Sequence, residues 1–527
     1  MIRITICKAL VVMILSMAVV FTGAGCVDGE DIINTDPNYS GSTDAMTCES
    51  EPSCPQVCRY YVNDTGTDRA NGRSWKTALR HIQPAINKAH CTMAACESIT
   101  QCDVWVAGRL PYSDSAIEVG GVPTTPPLPP QDYVSTADNR GNLPTIRLRN
   151  KVNLFGGFAG TEASPDERWF VKERPAIGMS REAAFASLSR LDRIDNQRSI
   201  EVEGNARIDG FLFAGNHVIV NEGAMPAGGA AIWAHGAGVA ISNCYFVSNG
   251  GRSSLMGGAV YVEGGNAEIS YSVFEDNHAK LGGAVALTGG TTTIDHCIFH
   301  DNSAWMDGGA ILKRDAAGLV IHNSILSSNR ADAYGGAVKI DSWNVRPGQP
   351  YSPANQSLDV VSSFFVGNLA KGGSSIEAKG FEGVTMTQTI VNCTFYNNMD
   401  TYLSATLSLA DGRITNSIVW TDTETAFPLV EEAEIFSSVI KNWIGVDSNT
   451  SADPLLEPVS LADTLAMKTL LYVLDENSPC IDAGNGDVAP QSDLVGNPRI
   501  DISEIPNTGA GVINYTDIGA VEALSFI

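Results

Sequence analysis

Five residues in the middle of the chain, Trp233, Tyr261, Glu263, Lys339 and Asp341, have the types and spacing for carbohydrate chemistry. Around them Val260 and Val262, Val285 and Leu287, and Val338 and Ile340 alternate with the period of two that marks a half-buried strand. The alternation turns Tyr261, Glu263, Lys339 and Asp341 outward on one sheet face, which Trp233 extends. Aromatic rings stack on sugar faces while charged groups bond to the hydroxyls, so the row is a candidate glycan-binding ladder. A solvated sheet face would carry the same residue types. Lys313 breaks the alternation in the coil between.

Two other groups could do chemistry. Asp482, Asn485 and Asp487, with Asp493 and Asp517 further on, place oxygen ligands among glycines and could hold Ca²⁺, although EF-hand spacing is absent. The same residue types build plain turns. His278, His296 and His322 occupy different places in the repeat described below, which suits surface turns and strands better than a shared site.

The cysteines report the compartment. Cys48, Cys54, Cys58, Cys91, Cys96 and Cys102 form a cluster of disulfide candidates whose connectivity the spacing leaves open, and a zinc site is the weaker rival because no CxxC occurs. Arg3 and Lys8 precede an apolar run from Ala9 to Phe21, followed by Thr22, Gly23, Ala24, Gly25 and Cys26, which reads as a secretion signal too short to span a bilayer. The small residues ending in Cys26 resemble a bacterial lipobox, with Gly23 where that pattern prefers Leu. The resemblance implies lipidation of Cys26 and a membrane tether at the cell surface or outer membrane; ordinary cleavage into the periplasm or medium is the alternative.

The chain has 34 basic and 59 acidic residues and a net charge of −25. Such a surface excludes nucleic acid as the expected partner and repels polyanions unless a basic patch or Ca²⁺ reverses the local field.

These residues must be positioned by a repeat. IDGFLFAGN at 208–216 returns as ISNCYFVSN (241–249), ISYSVFEDN (269–277), IDHCIFHDN (294–302), IHNSILSSN (321–329), VVSSFFVGN (360–368) and IVNCTFYNN (390–398), with a decayed copy from Ile414. This spacing suits one turn of a parallel β-helix with loops of variable length. Equivalent apolar residues would stack from coil to coil and build a core that no single coil could bury. Cys and Ser exchange at one place (Cys244, Ser272, Cys297, Ser324, Ser363, Cys393, Ser417), so size rather than thiol chemistry governs it. The terminal Asn of each phrase should tolerate a left-handed turn and join a ladder with its neighbours. Gly-Gly-Ala after each phrase turns the corner into the next strand.

Together these phrases resemble the right-handed parallel β-helix, or pectin-lyase-like, group, and the GGA and FxxN elements look like those of chlamydial polymorphic outer-membrane proteins. YYVNDTGTDRANGRSWKTALRHIQPAINKA (60–89) and NLFGGFAGTE (153–162) are similar to openings in that group, and SPCIDAGN, DLVGNPR and DIGAVE (478–522) look like a choice-of-anchor Q end module. In the polygalacturonase branch the catalytic residues lie in an Asp-Asp pair and a Gly-His-Gly; neither string occurs here.

The sequence therefore predicts an all-β, right-handed parallel β-helix with an N-terminal capping helix and a disulfide-rich start. The expected divisions are a signal (1–25), a tether and Cys-rich start (26–58), a cap (59–112) with helical spacing of Leu79, Ile82, Ile86 and Ala89, a Pro-rich loop (113–142), the β-helix (143–450) and the end module (451–527). The functional expectation is a monomeric, non-enzymatic surface lipoprotein that binds glycan or adheres to a host or neighbouring cell. A polysaccharide lyase or hydrolase is the first alternative and a structural envelope spacer the second.

Overall fold

The computed structural model describes residues 54–107 and 145–523, apart from 173–183, 185–186, 193–197, 219–227, 237, 252–255, 315–316, 342–355, 380–385, 401–404, 424–427, 445–447 and 461–469. Cys26, Cys48 and the Pro-rich loop lie outside the described residues.

Each of the five coils that begin at Val260, Val285, Ile311, Val338 and Ile376 runs through four short strands, and each strand pairs in parallel with its equivalent in the adjoining coil. The coil that begins at Val260 shows the plan: Val260–Glu263, Ala267–Ser270, Val273–Glu275 and His278–Ala279. Their partners one coil on are Val285–Thr288, Thr292–Asp295, Ile298–His300 and Ser303–Ala304. In register, Phe246 pairs with Phe274 and Phe274 with Phe299. The expected stacking is therefore present: the Phe213, Phe246, Phe274 and Phe299 rings lie 4.8, 4.6 and 4.6 Å apart, centroid to centroid, with nearly parallel planes. Leu326 interrupts the column before Phe365 and Phe395 resume it.

The corners explain the polar places of the phrase. Asn216, Asn249, Asn277, Asn302, Asn329, Asn368 and Asn398 are buried and linked, each Nδ2 donating to Oδ1 of the next at 2.8–3.0 Å. The left-handed residue is not this Asn but the one before it, as at Ser248 (φ 53°), Asp276 (φ 53°) and Asp301 (φ 53°). The ladder Asn needs its side chain turned inward, so the preceding residue absorbs the bend. At the other corner Ser272 Oγ accepts from the Cys244 amide at 3.2 Å and donates to Ser270 O at 2.9 Å. Cys297 Sγ instead donates to Asp295 O at 3.4 Å, so a thiol and a hydroxyl fill one socket. The expected turn glycine is needed too: Gly308 has φ +67°, and a Cβ there would lie 2.4 Å from Ile311 O.

The N-terminal end is closed by helix α1, Ile82–Ala95. It starts later than the helical spacing suggests, because Leu79 is extended and bridged to Val62. Ile82, Ala85, Ile86 and Ala89 enter the central core. Disulfide Cys54–Cys96 ties the end of the helix to the segment ahead of the first strand, Arg59–Val62, Cys58–Cys102 joins the start of that strand to the start of the next, Cys102–Ala107, and Cys91 is also disulfide-bonded, so these cysteines are not a zinc site. Arg168 reaches back from residues 145–172 and is buried against Asp209, with Nη1 to Asp209 Oδ1 at 2.7 Å.

At the far end a hairpin, Leu456–Ser460 with Leu470–Leu474, and residues 478–523 lie along the outside of the last coils. Asn416 anchors them: its Nδ2 donates to Asn485 O at 2.9 Å and its carbonyl accepts from Gly519 N at 2.8 Å.

Candidate functional site

The glycan ladder expected from alternation divides into two parts. Trp233 and Tyr261 are register partners on adjacent coils, and Tyr261 pairs next with Ala286 and that residue with Leu312. All four point away from the core, yet Tyr261, Ala286 and Leu312 are buried in an apolar cluster with Trp233, Met256 and Leu281 against them. The Arg198 guanidinium lies 4.4 Å from the centre of the Trp233 ring, and His235 stands beside that ring at 4.6 Å. Trp233 and Tyr261 thus spend their ring faces on the protein itself, and Glu263 is half-buried beside them. The exposed aromatic ladder expected at these residues is corrected: facing outward did not leave them uncovered.

Lys339 and Asp341 stand three coils further along and belong to a charged cluster. Arg314 Nη2 holds Asp341 Oδ2 at 3.0 Å, and Lys339 Nζ lies 3.7 Å from Glu377 Oε1. Lys339 also approaches the Tyr334 ring, 5.5 Å from its centre. Asp307 completes the group, its Oδ1 accepting from the Tyr334 amide at 3.2 Å. Burial raises the Asp307 pKa above the usual carboxylate value, against the pull of Lys339.

Beside this cluster the surface is aromatic and open. Trp305 is 43% exposed, Met306 40% and Tyr334 49%. The backbone sets them on neighbouring coils: Ala333 N donates to Met306 O and Gly308 N to Tyr334 O, both at 2.9 Å. Sequence reasoning missed Asp307, Trp305 and Tyr334 because they sit in the turn before Gly-Gly, where no strand period operates. A signal was present: that turn carries Leu281 in one coil, then Asp307, then Tyr334.

Lys313 occupies an inward place that Leu287 and Ile340 fill in the adjoining coils. It is 1% exposed, and its ammonium donates to the carbonyls of Gly289 and Gly290. The broken alternation is therefore a buried cation satisfied by turn carbonyls.

The calcium trio does not converge. Asn485 Oδ1 accepts from the Asp487 amide at 3.0 Å, Asp487 Oδ1 accepts from the Val512 amide at 2.8 Å, and Asp482 is buried and takes part in neither contact. Asn485 and Asp487 are turn residues, and among the described residues no three His, Cys, Asp or Glu side chains gather for a metal. Two of the histidines meet rather than scatter: His296 pairs with Asp295 at 2.8 Å and its amide donates to His322 O at 3.3 Å, and His322, the register partner of Asp295, lies 3.7 Å from Asp359.

Residues 193–346 and 230–418 match the family model described as right handed beta helix region. The coiled region is a right-handed parallel β-helix. Among solved structures, a chain titled "Rhamnogalacturonan lyase" is similar over 76% of this chain and 90% of its own, at 12% identity and a TM-score of 0.41, a likeness too distant to transfer a residue or a reaction. No curated protein matches the sequence.

Proposed function

We propose that this β-helix binds a polysaccharide at the surface formed by Trp305, Met306 and Tyr334, with Asp307, Lys339 and Arg314 supplying polar contacts. The observation that carries the reading is the pair of half-exposed aromatic rings on neighbouring coils beside a charged row. Stacking takes a sugar ring whatever its linkage, and the charged groups select among hydroxyl patterns. A net charge of −25 favours a neutral glycan over a polyuronate. Binding without turnover is the reading because two carboxylates of the row are committed, Asp341 to Arg314 and Glu377 to Lys339, whereas glycoside hydrolysis needs a pair free to exchange protons.

One observation favours the hydrolase alternative. Burial keeps Asp307 protonated to higher pH than an ordinary aspartate, as a general acid requires. A glycan array probed with and without Ca²⁺, followed by reducing-sugar and unsaturated-uronate assays on each hit, separates the readings. Retention lost in Trp305→Ala and Tyr334→Ala without turnover supports binding. Turnover abolished by Asp307→Asn replaces binding with hydrolysis. A wholly silent array favours the spacer.

The cell-surface address rests on the signal and on lipidation of Cys26. Mass spectrometry of the mature N-terminus tests it, since an unmodified start elsewhere removes the tether.

A further inference from the structure

Residues 478–523 hold a carboxylate that the fold leaves unneutralised. Asp482 is 0% exposed, and among the described residues neither Oδ1 nor Oδ2 has a hydrogen-bond partner. The Ile502 amide faces it without reaching bonding geometry. Its backbone is firmly held: the amide donates to Asp517 Oδ1 at 2.8 Å, and the carbonyl accepts from the Thr508 and Gly509 amides at 2.9 Å each.

The neighbouring groups supply oxygen rather than positive charge. Thr516, whose carbonyl bonds the Gly484 amide at 2.7 Å, is 0% exposed, with a hydroxyl that has no hydrogen-bond partner among the described residues. Asp501 acts on Asp482, and Asp482 in turn acts on Asp517, so the charged groups that interact with it are carboxylates. Asp517 is already used, its oxygens accepting from the Asp482 and Ala523 amides at 2.8 and 2.7 Å. A buried carboxylate without hydrogen bonds is costly, and native folds complete such a group with a proton, a water or an ion.

We propose that Asp482 is a ligand of a hard divalent cation of the Ca²⁺ type, with Asp501 and Thr516 as flanking oxygen donors. Ca²⁺ accepts carboxylates, hydroxyls, backbone carbonyls and water in flexible geometry. Two carboxylates predict the weak affinity of extracellular modules, a Kd of about 10⁻⁴ to 10⁻³ M. Asn485 and Asp487 are not part of this set.

A proton is the competing occupant. Both occupants need the same two carboxylate oxygens, so they exclude one another.

The full mature chain, stripped with EGTA, is titrated with CaCl₂ alone by calorimetry and melted at pH 7.5 and pH 5. Uptake that Asp482→Asn abolishes, a melting temperature raised by CaCl₂ at pH 7.5, and weaker uptake at pH 5 are expected. Thr516→Val, which keeps the shape of the side chain, should weaken uptake in a chain that still folds, and Asp487→Asn should leave it unchanged. The proposal is overturned by no uptake at millimolar CaCl₂, by uptake indifferent to both Asp482→Asn and Thr516→Val, or by equal loss in Asp487→Asn. It is equally overturned if the chain is more stable at pH 5 than at pH 7.5 while CaCl₂ does nothing, for then Asp482 simply holds a proton.

Discussion

Asn277 Nδ2 donates to Asn302 Oδ1 at 3.0 Å, and that oxygen also accepts from the Asn277 amide at 3.0 Å. The second Nδ2 proton goes to Phe246 O at 3.1 Å, so the side-chain donors are spent within the protein interior. Replacing Asn277 by Ala deprives the Asn249 side chain and amide of their acceptor as well. Each orphaned buried group costs about 1 to 3 kcal/mol, so the expected loss is about 3 kcal/mol, read from guanidinium melts of the full chain.

The thiols at the opposite corner should be silent. Burial pushes Cys244, Cys297 and Cys393 up to about 12, and Cys480 likewise. Reactivity follows the thiolate. Ellman's reagent at pH 8 is therefore expected to miss these four until the chain is unfolded. Cys297→Ser should change stability by less than about 1 kcal/mol, since serine occupies the same socket in the coils on either side.

The Arg168–Asp209 pair sets a limit on acid stability. Burial opposes ionisation of Asp209, but Arg168, the Ser242 hydroxyl and Arg207 outweigh it and hold the pKa below the usual carboxylate value. A depressed carboxyl adds stability that is complete above its unfolded pKa of about 3.9 and is lost only as the pH falls through the lower folded value. Mild acid should leave this contribution intact. Arg168→Met removes one of the two guanidinium partners of Asp209 and leaves Arg207 at 2.7 Å from Oδ2, so it should cost about 1 to 3 kcal/mol, whereas the double variant with Asp209→Asn should recover part of it; guanidinium melts at pH 7 and pH 4 check both.

Reduction should loosen the cap before the coils. The two disulfides close stretches of 42 and 44 residues, for which chain entropy predicts about 4 kcal/mol each. Hydrogen exchange in dithiothreitol should speed first in residues 82–95, with the amides near Phe274 unchanged. Simultaneous exposure of both regions would mean that the cap and coils unfold as one unit.

The coils were legible in the sequence because stacking forces each to repeat its neighbour. Phe246, Phe274 and Phe299 share a column, so their spacing declares it. The surface was less legible, for physical reasons. Alternation reports which way Tyr261 and Leu312 point, but whether they are covered depends on groups distant in the chain. Trp305 and Tyr334 occupy a turn, where backbone geometry imposes no period that a reader of residues could follow. Asp482 showed its type in the sequence but not its isolation, which exists only once 478–523 has folded against the coils.

The like-on-like stacking of Phe246 and Phe274, each with a phenylalanine above and below, also bears on how such a stack of coils changes over generations. A duplicated or deleted turn would meet surfaces already shaped to receive it, so recombination between neighbouring copies can alter the molecule's reach in whole steps while the outer loops diverge freely.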